Sequence, residues 1–167
     1  MSFRQASTVT RADDGRWCAD IARGWDIVGN ANGGYVLATA ARAMSAAADR
    51  PDPLTITAHY LRPVTVGPVD IATEVVRSGR RVSTVRGRLE RDGAPLVEFL
   101  GAFGDLTATT GDPDVARYSI TAPPLLPPVE ECFGMATDRS EERSDSPPEF
   151  TSRVAMYLHP DDAAFAS

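Results

Sequence analysis

The residues best placed for chemistry lie in the run Asn32-Gly33-Gly34-Tyr35, which leads from a turn into a helical pattern. The first amides of a helix have no partner within it, and the helix dipole favours negative charge there. Such a start offers donors for an oxyanion. Glycines at 33 and 34 let a ligand approach the backbone, although a pair of glycines also serves a tight turn. Gly34 is therefore the candidate catalytic donor, and Asn32, Gly33 and Tyr35 are candidate substrate contacts, with Asn32 doubling as the helix N-cap. Chemistry at such a site also needs a base, and no carboxylate occurs between Val28 and Arg42. Asn30 and Asn32 are neutral amides, able to orient water but poor at removing its proton. Asp26 in the preceding turn is one candidate, read beside the simpler role of a solvated turn acid. His59, the single histidine before residue 106, is another, read beside that of a hydrogen-bonded sheet residue.

Arg62, and the group Arg77, Arg80 and Arg81, can hold phosphate oxygens of an anionic ligand bidentately. The chain has no lysine, so all 17 basic side chains are arginine and any anion must be met by that residue. Cys18, Cys132, His59 and His159 share no metal-ligand spacing, and neither a metal nor a cofactor is expected. A net charge of -6 argues against nucleic acid as a partner, because phosphate backbones are bound by positive surfaces. No apolar run approaches the roughly 20 residues a membrane helix needs, and the first residues lack a signal peptide's apolar stretch. The expected location is the cytoplasm.

The elements that must position these residues follow from periodicity. Trp17 to Ile21 alternates as a half-buried strand, and the glycine- and asparagine-rich stretch after it suits a turn. From about Gly34 to Asp49 the pattern is helical, with Val36, Ala40, Ala43, Met44 and Ala47 on one face and Thr39, Arg42 and Asp49 on another. An apolar face built mainly of alanine allows another element to come close to the helix backbone. Four strand-like segments follow: Leu54 to Tyr60, Val69 to Ser78, Val82 to Glu90 and Pro95 to Phe103, with Asp92-Gly93 as a hairpin signal between the last two. Short turns between successive strands make the sheet antiparallel, so the expectation is an α+β domain over residues 1–105. Residues 106–149, rich in proline, acid and small polar groups, read as a linker with a short ordered piece around Val129 to Met135. In residues 150–167, Val154, Met156 and Leu158 alternate like a strand with no partner left in the chain.

Three stretches carry a resemblance to a known family: Asn32-Gly33-Gly34-Tyr35 entering an alanine-rich helix, His59-Tyr60-Leu61-Arg62-Pro63 ending a strand, and Val75 to Arg80 followed by the Asp92-Gly93 hairpin and Phe103. In order and spacing they resemble the N-terminal half of the TesB-like acyl-CoA thioesterase II family. The resemblance implies a hot dog fold, an antiparallel sheet wrapped around one long helix. It implies an acyl-CoA substrate, hydrolysis to free fatty acid and coenzyme A, and two hot dog domains joined by a linker into one continuous sheet. Residues 150–167 then look like the start of a second, truncated hot dog domain, and the partner is that domain or a second copy of the chain. It further implies that the catalytic aspartate, threonine and glutamine belong to the second domain, which leaves a non-catalytic acyl-CoA-binding or assembly role as the alternative for this chain. Hot dog hydratases require an aspartate followed five positions on by histidine; Asp20 is followed there by Trp25 and Asp26 by Ala31.

Overall fold

A computed structural model describes residues 1–109, 121–134 and 149–165. The chain divides into two compact units, Met1–Asp112 and Pro113–Ser167. The first begins with a single helical turn, α1 (Phe3–Ala6), and continues through strands β1 (Thr10–Arg11) and β2 (Trp17–Ile21), a small hairpin of β3 (Asp26–Ile27) and β4 (Asn30–Ala31), and the long helix α2 (Gly33–Ala48). Strands β5 (Asp52–Tyr60), β6 (Gly67–Ser78), β7 (Ser83–Arg91) and β8 (Ala94–Gly104) complete it. Six strands form one sheet in the order β1-β2-β6-β7-β8-β5, every pairing antiparallel. The antiparallel sheet packed on one long helix, expected from the sequence, is the architecture of this unit.

Alternation decides which side of each strand meets the helix. Along β7, Ser83, Val85, Gly87 and Leu89 are buried, whereas Arg86 and Arg88 point to solvent. Val36, Ala40, Ala43 and Met44 of α2 are fully buried against this inner face, together with Ile21, Ile71, Val97 and Phe103. Burying each of the larger apolar groups contributes on the order of 1.5–3 kcal/mol. Two details of the helix differ from the expected faces. Thr39 is fully buried, because its hydroxyl donates back to the Tyr35 carbonyl at 3.0 Å and so needs no water. Ala47 is only half-buried, and Ala48 takes its place in the core.

Asp92 and Gly93 both have positive φ, 51° and 74°, the pair of left-handed residues that a tight hairpin between β7 and β8 requires. Val28 and Gly29 repeat that geometry between β3 and β4, with φ of 52° and 81°. For β-branched Val28 this is a strained conformation.

In the second unit, a 3-10 turn at Val129–Glu131 leads into strand β9 (Phe133–Gly134), which pairs antiparallel with β10 (Tyr157–Leu158). The tail therefore has a partner within the chain, contrary to the expectation from sequence. Its extended part is confined to Tyr157–Leu158, because Glu149–Arg153 and Pro160–Phe165 wind into 3-10 turns. Most of the segment read as a linker, and Met135, lie outside the described residues.

Candidate functional site

The start of α2 is fixed by hydrogen bonds from both directions. The Asn32 side chain accepts from the Tyr35 amide at 3.2 Å, and its carbonyl accepts from the Val36 amide at 3.1 Å, so Asn32 is the N-cap. Its own amide donates to the Trp25 carbonyl at 2.8 Å, and the Ala31 amide donates to Val64 at 2.7 Å, which ties the entering chain down on both sides. Two of the four orphan donors of the helix are thereby satisfied. The other two, the amides of Gly33 and Gly34, have no acceptor among the described residues.

These amides lie beside a groove of about 350 Å³, lined by Asn30, Ala31, Gly33 and Val36 from the helix side and by the segment Tyr60 to Val64 from the sheet side. Its walls are mostly apolar. Tyr60, half-exposed at the end of β5, donates its hydroxyl to the Gly33 carbonyl at 2.6 Å, and burial of its ring pushes the phenol above its usual range. A methyl group at position 33 would lie 3.2 Å from that hydroxyl, so glycine there is what permits the close approach. Arg62 lines the groove and is exposed, and its guanidinium makes no hydrogen bond or ion pair among the described residues.

Of the residues picked from sequence, the groove brings together Gly33 and Arg62, with Asn32 and Gly34 flanking Gly33 in the chain. The fold puts the other three to different uses. Tyr35 turns inward rather than to the groove: it is 2% exposed, its hydroxyl donates to the Ala6 carbonyl at 2.8 Å and accepts from the Ala22 amide at 3.0 Å. Its ring stacks on Trp25, with Phe3 set edge-on to both. Asp26 lies near the helix start, but its two carboxylate oxygens accept from the Gly24 and Gly29 amides at 3.1 and 3.3 Å and clamp the turn. His59 is exposed and sits opposite Glu98 on the outer face of the sheet. The next residue, Tyr60, pairs with fully buried Val97, so strand alternation turns His59 away from the groove.

The arginines also separate. Arg80 and Arg81 line another cleft, of about 330 Å³, with Arg50, Asp49 and Asp105. That cleft is at the far end of α2, whose 16 residues span roughly 24 Å at about 1.5 Å each. No cluster of three or more potential metal ligands occurs among the described residues, and no described helix is long and apolar enough to cross a membrane. Sequence reasoning missed Tyr60 as a candidate site residue although it lies in the run His59 to Pro63. Its signal was alternation, which sets it on the face opposite His59.

Residues 21–104 match the acyl-CoA thioesterase N-terminal domain family. Among solved structures, a candidate thioesterase II from Thermobifida fusca YX superposes with a TM-score of 0.81 at 28% identity, over 98% of this chain and 57% of that one. A conserved protein of unknown function with the hot dog fold, from Alicyclobacillus acidocaldarius, gives 0.70 at 18% identity, over 90% and 52% of the two chains. The tesB protein of Mycobacterium avium subs paratuberculosis gives 0.59 at 22% identity, over 77% and 48%. The chain thus spans about half the length of these relatives, between 48% and 57%. No curated protein matches it.

Proposed function

The chain belongs to the acyl-CoA thioesterase N-terminal domain family, and we propose that it is the half of a double hot dog acyl-CoA thioesterase that binds the thioester carbonyl and one side of the acyl chain. The observation that carries this reading is the pair of unpartnered amides, Gly33 and Gly34, at a helix start beside an apolar groove. A thioester carbonyl directed at them would gain two donors and the favourable end of a helix dipole as its oxygen becomes negative. Water adds to the carbonyl carbon and the tetrahedral intermediate collapses. The carbon–sulfur bond breaks, and coenzyme A leaves as a thiolate that takes up a proton. Leu61 and the ring of Tyr60, both partly exposed, offer apolar contact to the acyl chain, and Arg62 is the cation among the lining residues for a phosphate of coenzyme A.

The groove has no carboxylate among its lining residues, which favours a division of labour. The base that removes the proton from water belongs, in this reading, to a second hot dog domain continuing the sheet; by itself the chain is a binding half. General acid–base catalysis contributes typically about 10²–10⁴-fold, so the isolated chain should bind acyl-CoA weakly and turn it over slowly or not at all. The test is thiol release from acyl-CoA esters of several lengths, with the 167-residue chain alone and supplemented with a second hot dog domain. Robust turnover by the chain alone, abolished by Asp26→Asn or His59→Ala, would place the chemistry in this half instead. Absence of both binding and turnover in either preparation would sink the reading altogether.

A further inference from the structure

Tyr60 makes a contact that the proposed chemistry has not used. Its hydroxyl donates to the carbonyl oxygen of Gly33 at 2.6 Å, while that carbonyl belongs to the same peptide plane as the amide of Gly34. A peptide unit is rigid and planar, so its C=O and N–H point in opposite directions and turn together. Holding the oxygen fixes the direction in which the Gly34 N–H points. The bond also draws electron density toward the oxygen, which polarises the N–H and strengthens it as a donor. The same carbonyl stands in the first turn of α2 and takes the helical bond from the Leu37 amide, so the phenol is a second donor that adds to the hold and to the polarisation. Neither glycine has a side chain to pack.

We propose that Tyr60 is a positioning residue for the oxyanion site: it clamps the Gly33–Gly34 peptide so that the Gly34 amide is presented, polarised, to a bound carbonyl. The assignment rests on the oxyanion role given above to that amide. It links the end of β5 to the start of α2, so one side chain both walls the groove and orients its donor. The phenol works only while protonated, as a tyrosine already is through the neutral range, and burial of its ring moves its titration further up.

Tyr60→Phe removes the hydroxyl and keeps the ring. In the isotope-labelled 167-residue chain, the carbonyl carbon of Gly33 and the amide of Gly34 should both move upfield in the variant's nuclear magnetic resonance spectrum, with the melting midpoint little changed. In the preparation supplemented with a second hot dog domain, kcat should fall about tenfold with KM unaltered, less than the roughly 10²–10³-fold that follows outright loss of a donor. Shifts that move in an assembly with no turnover would support the clamp while overturning the hydrolytic reading. Unmoved Gly33 and Gly34 shifts would overturn the clamp, and so would moved shifts with wild-type kcat.

Discussion

Tyr35 shows how one side chain can look like a ligand contact and serve as an anchor. Its position directly after the two glycines is what a substrate contact would occupy, yet its hydroxyl joins the carbonyl of Ala6 to the amide of Ala22, drawing the N-terminal turn and the end of β2 onto the helix start. Donation to Ala6 requires the protonated phenol, and burial, the leading cause, raises the group above its ordinary value of 10.0. The sign follows from linkage. With a folded-state pKa raised above the unfolded one, the contribution to stability is fully present below about pH 10 and is lost as pH rises through the folded pKa. Denaturant midpoints measured across this alkaline range should fall steeply in the wild-type chain and less steeply in Tyr35→Phe. Parallel pH curves for the two proteins would show that the buried hydroxyl carries no such linkage.

Where α2 meets the sheet, a tight contact is made by a helix side chain over a strand glycine. An ideal Cβ built on Gly87, in the middle of β7, would lie 2.9 Å from the sulfur of Met44 and 3.1 Å from its Cγ. Met44 is fully buried and has little room to yield. Gly87→Ala should therefore destabilise the chain by about 1–3 kcal/mol, read as a shift in denaturant midpoint at constant slope; a midpoint within error of wild type would mean that the helix can ride up without loss. The alanine face of α2, the alternation along β6 to β8 and the Asp92-Gly93 hairpin were legible because each is a local pattern with one period or one turn type. The cap on α2 was legible for the same reason. The face chosen by Tyr35, the clamp made by Asp26 and the loss of His59 from the site were not, because each is decided by a partner elsewhere: Ala6 and Ala22, the turn amides of Gly24 and Gly29, and the sheet side that α2 covers. The turn α1 had a local signal in Ser2 and Gln5, which form a reciprocal capping box, but too few residues to show a period.

At the scale of the whole molecule, the sheet stops at β5, whose outer edge pairs with no described strand. Leu54, Tyr60 and Leu61 stand 41%, 49% and 53% exposed on or just beyond it. An open edge with apolar neighbours invites another strand, and the proposed second hot dog domain or a second copy of the chain would supply one. For a second copy, a two-fold axis near Ile56 would set Thr55 against Thr57 of the partner subunit on the outer face. Both threonines are exposed, so replacing them together by lysine should leave the fold nearly as stable while bringing like charges together across the joint. Sedimentation equilibrium should accordingly show the wild-type chain heavier than its 17.9 kDa and growing with concentration, and the Thr55→Lys, Thr57→Lys chain shifted toward that mass. Equal association by both proteins would move the joint away from β5. A wild-type chain that stays at 17.9 kDa at every concentration would mean that β5 does not join copies of itself, and would leave a second hot dog domain to complete the sheet.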